Sequence, residues 1–307
     1  MSTTDRGRAR ITVGMPVFEG ERHMGEAIDS ILAQDVDGLE LVISDNASTD
    51  ATGEIARSYV ARDPRVRYVR NERNVGAARN YNQLVDLAAG TYFKWAGYDD
   101  VLRPGHLRRT VEVLDAEPDV VIAYPRTDII DADGAFVRHH DDNLHLSSPD
   151  PVVRVRQFAR RFTLCNPCFG VIRRDALMRT SLVQPFVSSD VPLLVELALL
   201  GRWHEVPERL FLRRIHEASS RQGRVTMSQV ARWFDPGRSR PLAPRTRMVA
   251  ECVRSIGRAE LPGPVRARAA AAFLSTWTRR RARVRAGRAK AVLRGRSGPH
   301  DTTVVVA

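Results

Sequence analysis

The sequence has few cysteines, no long apolar run and no apolar segment near its beginning. Its 307 residues include three cysteines, Cys165, Cys168 and Cys252. These are too few for a disulfide framework, so we expect a reducing, cytoplasmic compartment. The longest largely apolar stretch, Val191–Leu200, has ten residues, whereas a helix that spans a bilayer needs about 20. The opening residues, MSTTDRGRAR, are followed by no apolar segment, so no secretory signal is predicted.

Glycine-rich phosphate-binding loops are also missing. The chain contains neither G-x-G-x-x-G nor G-x-x-x-x-G-K-[ST], two loops whose backbone amides hold the phosphates of a nucleotide. A diphosphate would therefore have to be bound in another way. A hard divalent cation with carboxylate oxygen ligands is one such way.

Lysine is nearly absent, and the positive charge is confined to one end of the chain. Lys94 and Lys290 are the only lysines, and the formal net charge is +12. Residues 240–307 carry 16 Lys+Arg against 3 Asp+Glu, which leaves 32 against 33 in residues 1–239. Nucleic acid is not expected as a partner, because the body offers no basic surface. An Arg-rich tail that binds nucleic acid is the alternative.

From residue 10 onward, short apolar runs alternate with amphipathic stretches. This pattern is typical of βαβ units and predicts an α/β fold with a Rossmann-like, mostly parallel sheet flanked by helices. The predicted strands are Arg10–Val17, Leu39–Ser44, Val66–Arg70, Thr91–Trp95 and Val120–Tyr124. The predicted helices are Arg22–Ala33, Ala51–Val60, Ala77–Ala88 and Gly105–Ala116. Asp133–Gly134 predicts a hairpin turn.

The pattern changes after residue 150. Helices are predicted over Val152–Phe162 and Val191–Leu200, and strands over Phe169–Ile172, Trp203–Val206 and Arg209–Ile215. Beyond about residue 225 the sequence is rich in Arg and Ala and predicts only helix. The last residues, 295–307, are expected to fray.

Acidic residues follow two of the predicted strands. Asp45 comes directly after LELVIS, and the adjacent Asp99 and Asp100 come after TYFKWAGY. Ligands of open α/β sheets bind at the carboxyl ends of the strands, so these carboxylates are candidates for holding a metal. The alternative is that the aspartate pair only begins the helix that follows Pro104.

Two long segments resemble family 2 glycosyltransferases. PVFEGERHMGEAIDSILAQDVDGLELVISDNASTDAT is similar to the family's opening, with its Pro-x-Tyr-Asn start, Ser-Ile-x-x-Gln helix and Asp-Asp-Gly-Ser-x-Asp strand end. NERNVGAARNYNQLVDLAAGTYFKWAGYDDVLRPGHL is similar to its Asn-x-Gly-x-x-x-Arg-Asn and Asp-x-Asp regions, and the likeness continues through CNPCFGVIRRDAL and SSDVPLLVELALLGRWHEVPERLFLRRIH. The resemblance implies a GT-A fold with a helical C-terminal extension. It also implies inverting transfer of a hexosyl or deoxyhexosyl group from a nucleotide-diphosphate sugar to an acceptor hydroxyl, assisted by Mg²⁺ or Mn²⁺.

The resemblance implies roles for ten residues. Phe18 takes the place of an aromatic residue that stacks on the base, and Asp45 that of a carboxylate that accepts a hydrogen bond from the base. Asp99 and His216 take the places of metal ligands, and Asp190 that of the general base that removes the acceptor's proton. The nucleotide-sugar-binding positions together are Pro16, Phe18, Glu19, Asp45, Asn46, Arg79 and Asp100.

The chain departs from the family's pattern at four of its positions, one of which is Ala47 in place of the family's glycine. Gly97 replaces the first aspartate of Asp-x-Asp, which removes a ribose or sugar contact but leaves the metal-binding aspartate. Asn46 replaces the second aspartate of the base-binding pair, which weakens the case for uracil, and Phe18 lacks a tyrosine hydroxyl. A nucleotide-sugar-binding module that has lost catalysis is therefore the second hypothesis.

Several of these residues also have a structural interpretation. Asp190 can cap the helix that follows it, and His216 can be a surface residue at a strand end. Cys165 and Cys168 have the spacing of half a zinc site, but without a second C-x-x-C a buried structural role is favoured. Trp95, in a predicted strand, is favoured as a core residue.

The resemblance divides the chain after residues 125 and 222. Residues 1–125 are assigned to nucleotide-sugar binding, 126–222 to acceptor binding and catalysis in the same GT-A domain, and 223–307 to a basic helical extension. The extension predicts a packing or homodimer element, or peripheral contact with the anionic inner face of a membrane. The apolar residues that would accompany such contact are Phe273, Leu274, Trp277, Val284 and Leu293.

Overall fold

A computed structural model describes residues 9–217, 227–235, 237 and 244–293 of the protein. The strands are β1 (Ile11–Val17), β2 (Leu39–Asp45), β3 (Val66–Arg70), β4 (Tyr92–Trp95), β5 (Val101–Leu102), β6 (Val120–Ile130), β7 (Phe136–His140), β8 (Val171–Arg173) and β9 (Arg202–Arg214). The helices are α1 (Met24–Leu32), α2 (Thr52–Arg62), α3 (Ala77–Leu87), α4 (His106–Ala116), α5 (Pro151–Arg161), α6 (Arg174–Met178), α7 (Asp190–Leu200), α8 (Met227–Phe234), α9 (Pro244–Arg258) and α10 (Gly263–Leu293).

The strands form one sheet that runs through both halves of the chain. Its order is β3-β2-β1-β4-β8-β6-β9-β5, with β7 paired to β6. The first four strands in this order are parallel, β8 is antiparallel to both of its neighbours, and β6 and β9 are parallel. The predicted α/β fold with flanking helices is therefore confirmed.

Apolar residues alternate along the parallel strands and divide the core into two layers. In β2, Leu41 and Ile43 face one layer while Val42 faces the other, because successive side chains of a strand point to opposite faces. The first layer is covered by α1, α2 and α4, and the second by α3, α5, α7, α9 and α10. Since both faces are covered, the parallel strands read as nearly continuous apolar runs.

The prediction of two separate strands over Trp203–Val206 and Arg209–Ile215 was wrong. The structure has the single strand β9, whose pairing with β6 shifts in register so that Val206 lies opposite Pro125 and Arg209 opposite Arg126. Two residues of β9, one of them Pro207, have no partner across this shift. Because proline has no amide hydrogen to donate, it is found at such bulges.

Of two other local predictions, one was confirmed and one was only partly correct. The turn at Asp133–Gly134 was confirmed, since Asp131 accepts hydrogen bonds from the amides of Asp133 and Ala135, and Gly134 has φ +87°. The strand predicted over Phe169–Ile172 begins only at Val171. The residues before it, Asn166–Phe169, form a 3-10 turn instead.

The C-terminal helices are part of the core. Ala269, Phe273 and Trp277 of α10 are buried, and Trp277 stacks on Phe162 at 5.7 Å. Phe273 and Trp277 are therefore not available for membrane contact, whereas Leu274 is exposed. The side chain of Leu293 and residues 295–307 lie outside the described part of the chain. Among the described residues, no helix has the length and apolar character needed to cross a membrane.

Lys94 is a fully buried lysine in the middle of the sheet. Its Nζ atom donates a hydrogen bond to the carbonyl oxygen of Phe169 and lies 5.2 Å from the centre of the Phe211 ring. Burial lowers the pKa of Lys94 to about 7, because a charged ammonium group loses its hydration in the core.

The buried position of Lys94 predicts a pH-dependent stability. The unfolded chain keeps the proton on Lys94 up to pH 10.5, whereas the folded chain releases it above about pH 7. Raising the pH between these values therefore favours the folded state, by at most about 1.4 kcal/mol per pH unit. Urea unfolding at pH 7, 8 and 9 should show the wild type gaining stability relative to Lys94→Met. Parallel stability curves for the two proteins would contradict the prediction.

Candidate active site

A cavity of about 290 Å³ lies where several strands of the sheet end. Its walls come from the ends of β1 and β9, from the residues that follow β2 and β4, and from α3 and α8. Six of the ten predicted site residues line it, namely Pro16, Phe18, Asn46, Asp99, Asp100 and His216. The other four, Glu19, Asp45, Arg79 and Asp190, do not line it.

Asp99 and His216 meet on the wall of this cavity. Asp99 Oδ2 and His216 Nε2 are 3.0 Å apart, although the residues are separated by 117 positions in the sequence. Both side chains keep some exposure, 21% for Asp99 and 11% for His216. A carboxylate oxygen and an imidazole nitrogen at a solvent-accessible surface can both bind a divalent cation, which then keeps positions for ligands from a substrate.

Asp100 lies behind Asp99 and is nearly buried. Its Oδ1 accepts a hydrogen bond from the amide of Arg214 at 3.0 Å. Burial, and then the charge of Asp99, raises the pKa of Asp100 to about 7. The side chain of Asp100 is therefore fixed by the backbone of β9, and its proton affinity is raised by burial and by the charge of Asp99.

A side chain at position 97, where the family's Asp-x-Asp pattern has its first aspartate, would crowd the acid pair in this structure. A Cβ atom on Gly97 would lie 2.6 Å from Asp100 Oδ2 and 2.8 Å from Asp99 Oδ1. Both distances are shorter than a normal contact, and the atoms in conflict are carboxylate oxygens. Any side chain at this position would therefore displace the acid pair.

Arg214 anchors the acid pair to the rest of the fold. Its guanidinium group, 4% exposed as a residue, donates to the carbonyl oxygen of Asp99 at 2.8 Å and to Glu26 of α1 at 2.5 Å. It also donates to the carbonyl oxygens of Asp131 and Ala132 in the β6–β7 turn. One buried arginine thus connects α1, the turn and the strand end that carries Asp99.

The carboxylate of Asp45 forms its hydrogen bonds with other groups of the protein. Its carboxylate has no exposed surface and accepts hydrogen bonds from the Ser48 amide at 2.8 Å, the Tyr68 hydroxyl at 2.7 Å and Arg70 at 2.9 Å. Burial raises the pKa of Asp45, but the bonds from Ser48 and Tyr68 and the charge of Arg70 outweigh it and hold this pKa below its ordinary value. The neighbouring Asn46, and not Asp45, lines the cavity.

Glu19 also forms hydrogen bonds within the protein, to the segment that follows β2. Its carboxylate accepts hydrogen bonds from the amide and hydroxyl of Thr49, and its amide donates to Ser48 Oγ at 3.0 Å. Next to it, Gly20 donates its amide to Thr52 Oγ1 at 2.8 Å. These bonds join the segment after β1 to the segment after β2 and so position Phe18 at the edge of the cavity.

The remaining two predicted residues lie elsewhere. Arg79 is exposed on α3 and lines a second cavity. Asp190 is the first residue of α7, which begins after Ser189. The capping interpretation of Asp190 was therefore wrong in position, although a carboxylate in the first turn is still favourable to the helix. The role of Asp190 as a general base stays a prediction.

The structural interpretations of the cysteines and of Trp95 agree with their positions. Cys165 and Cys168 are buried, and Trp95 is fully buried and donates its indole N–H to the Tyr81 carbonyl oxygen at 3.0 Å. Within the described residues, no group of three or more His, Cys, Asp or Glu side chains is arranged to hold a metal ion. A metal at Asp99 and His216 would therefore have to complete its ligands from substrate and water.

Sequence reasoning missed the contribution of α8 to this site. Gln229, Val230 and Trp233 line the cavity, and Trp233 is 40% exposed with its ring edge-on to Tyr81. Arg213 was missed as well, although it lies in the RRIH segment that contains His216. The sequence signal for α8 was an aromatic pair within a stretch that otherwise reads as a basic, Arg-rich extension.

Comparisons with known proteins give the family and the fold of the chain. The family described as "Glycosyl transferase family 2" matches residues 12–184. Glycosyltransferase GlyG of Streptococcus pneumoniae serotype 4 is 30% identical over 113 residues, which are 36% of this chain and 38% of that protein. The matches to the first curated relatives span between 13% and 38% of the length of those proteins.

Solved structures share the fold at low sequence identity. S. aureus TarS 1-349 in complex with UDP-GlcNAc superimposes with a TM-score of 0.64 at 16% identity, over 87% of this chain and 72% of that one. Mannosyltransferase PcManGT from Pyrobaculum calidifontis, in complex with GDP-Man and Mn²⁺, gives 0.54 at 18% identity, over 94% and 81%. The fold is thus of the GT-A type, and since the family match covers more than half of the sequence, this chain belongs to glycosyl transferase family 2.

Proposed function

We propose that the protein transfers a sugar from a nucleotide-diphosphate sugar to an acceptor hydroxyl. The observation that carries this proposal is the pair formed by Asp99 and His216, 3.0 Å apart on the wall of a cavity at the strand ends. The bound ligands of the two structural neighbours, UDP-GlcNAc and GDP-Man, support a donor of this class.

The cavity offers different groups to the two ends of such a donor. Phe18 and Asn46 lie at the end formed by β1 and β2, where an aromatic ring and an amide suit a nucleobase. Arg213 lies near the acid pair, and its guanidinium group is held by the Leu164 carbonyl oxygen at 3.0 Å and by Asn166. A fixed positive charge there stabilises the negative charge that develops on a departing diphosphate.

Asp99 and His216 fit a divalent cation, Mg²⁺ or Mn²⁺, as its protein ligands. Such a cation supplies Lewis-acid stabilisation of the leaving diphosphate. The small number of protein ligands suits Mg²⁺, which usually keeps several waters and binds through one or two carboxylates together with substrate phosphates. Asp100 and Arg214 keep Asp99 oriented by the contacts described above.

We assign the general base to Asp190 and, with it, an inverting course to the reaction. Val187, three residues before Asp190, packs against Val230 of α8, and Val230 lines the cavity. The start of α7 is therefore connected to the wall of the cavity that α8 forms, and we place the entry of the acceptor there. Trp233 on the same wall offers an exposed aromatic face for the acceptor sugar.

The exposed arginines at the end of α10 support a further proposal, peripheral attachment to an anionic membrane from the cytoplasmic side. Arg279, Arg283 and Arg285 are exposed, and Val284 is 36% exposed among them. Each such charge contributes about 1 kcal/mol near an anionic surface. Because Phe273 and Trp277 are buried, this attachment would be electrostatic rather than a deep insertion.

Replacing Asp99 should abolish metal-dependent donor cleavage. We expect Asp99→Asn to lower hydrolysis of UDP-GlcNAc or GDP-Man in Mn²⁺ by more than about 100-fold, since loss of an outer-shell partner alone costs about 10–100-fold. It should also weaken binding of the nucleoside diphosphate. Asp133→Asn, the same change on the exposed β6–β7 turn, is the control. Undiminished hydrolysis by the wild type in excess chelator would sink the metal assignment, and no cleavage of any nucleotide sugar would favour a non-catalytic binding module.

Replacing Asp190 should separate catalysis from donor binding. Asp190→Asn should lower donor hydrolysis by about 10²–10⁴-fold, the usual contribution of a general base, with the affinity for nucleoside diphosphate unchanged. The loss of a first-turn carboxylate costs about 0.3–1 kcal/mol of stability, which thermal unfolding will measure. If Asp190→Asn keeps its activity, or loses it only in proportion to unfolding, Asp190 is not the base.

The membrane proposal predicts a salt-dependent association. The full chain should sediment with vesicles that contain phosphatidylserine and not with neutral phosphatidylcholine vesicles, and 0.5 M salt should release it. A variant with Arg279, Arg283 and Arg285 changed to Gln should bind much less, while its donor hydrolysis stays at the wild-type level. Equal binding by the triple variant would show that α10 is not the membrane contact.

A further inference from the structure

A second cavity, of about 590 Å³, lies beside the first one and shares two of its walls. On α3, Asn80 and Tyr81 line the first cavity, whereas Arg79 and Asn82 line the second. On α8, Trp233 lines the first cavity and the adjacent Phe234 lines the second. A molecule that extends past the end of α8 could therefore occupy both.

Two arginines give the second cavity a positive charge. Arg73 and Arg79 are exposed and form no hydrogen bond or ion pair with another side chain or backbone group in the described part of the chain. By contrast, four arginines of the strands and of α4 are each bound to a carboxylate, namely Arg67, Arg70, Arg109 and Arg126. Asp235 also lines the cavity, with its Oδ1 accepting from the Gly237 amide at 3.1 Å. Among the described residues of the lining there are thus two cations and one anion.

Hydrogen bonds within the protein fix two sides of the second cavity. Asn82 Nδ2 donates a hydrogen bond to the carbonyl oxygen of Val183 at 2.9 Å, and the backbone amide of Val183 donates one to Asn82 Oδ1 at 3.0 Å. This pair holds the segment through Pro185 against α3. On the other side, Asn74 accepts from Asn46 Nδ2 at 2.9 Å, and Asn46 itself lines the first cavity. Ligand sites of this size are usually preformed in this way.

We propose that the second cavity binds an anionic group of the acceptor, a phosphate or a carboxylate. This inference rests on the function proposed above. The planar guanidinium groups of Arg73 and Arg79 suit either anion through paired N–H donors. Val183, Pro185 and Phe234 provide an apolar wall for the rest of the acceptor. Its reacting hydroxyl would then lie past Phe234, on the Trp233 side of α8.

Arg79 then has a different role from the one that the family resemblance implies. A nucleotide in the first cavity would contact the face of α3 that carries Asn80 and Tyr81, while Arg79 lies on the face toward the second cavity. Arg79 therefore determines which acceptor binds rather than which donor. The acceptor class that follows is an acidic glycan or a phosphate-linked sugar.

Direct binding measurements can test the site without knowing the acceptor. The probes are glucose 1-phosphate, glucuronate and glucose, titrated calorimetrically into the wild type, into Arg73→Gln/Arg79→Gln and into Arg156→Gln/Arg160→Gln. The last pair removes the same charge from exposed arginines of α5. We expect glucose 1-phosphate or glucuronate, but not glucose, to bind the wild type and the α5 variant, and the Arg73/Arg79 variant to bind more than tenfold more weakly. Which anion binds better distinguishes a phosphate from a carboxylate acceptor.

Two further measurements separate this site from the donor site. Asp99→Asn should bind the anionic probe as well as the wild type does, because Asp99 faces the first cavity. Probe binding that survives in the Arg73/Arg79 variant, or an Arg79→Gln variant that loses nucleoside diphosphate instead of the probe, would overturn the proposal. Absence of donor hydrolysis with probe binding intact would reject the catalytic function and leave the anion site in place.

Discussion

Two adjacent carboxylates have to be kept side by side at the end of a buried strand, and much of the surrounding structure follows from this requirement. A carboxylate taken out of water needs donors or positive charge nearby, or it takes up a proton. Asp99 has His216, and Asp100 has the amide of Arg214. Even so, burial and the neighbouring charge raise the pKa of Asp100 to about 7. The crowding of the pair leaves room for no side chain at Gly97.

Arginine side chains carry most of this support, and each one connects distant parts of the chain. Arg214 joins the acid pair to α1 and to the β6–β7 turn, and Arg213 is fixed by the 3-10 turn that includes Asn166. The cavity therefore has arginine side chains beside the acids, although residues 1–239 as a whole are nearly neutral. Such an arrangement suits a ligand with a negatively charged centre and a neutral sugar.

Several motif positions are used for positioning and not for direct contact. The bonds of Glu19 to Ser48 and Thr49 and the bonds of Asp45 to Ser48 and Tyr68 hold two loops together at the edge of the cavity. Phe18 and Asn46, next to them in the sequence, are the residues that reach its surface. Residues adjacent in a motif can thus divide support and contact between them, because alternate side chains at a strand end point to different sides.

The sequence by itself determined the sheet and its covering helices, because hydrophobic periodicity is a local property and the parallel strands are buried on both faces. It also indicated that Asp99, Asp100 and His216 belong to one site, since their motifs occur in the family's order. Only the tertiary structure decided that β9 is one bulged strand, that Arg79 faces a second cavity, and that α8 with Trp233 closes the first. These features depend on contacts between segments far apart in the chain, and no local pattern of residues encodes which faces of α3 and α8 will meet.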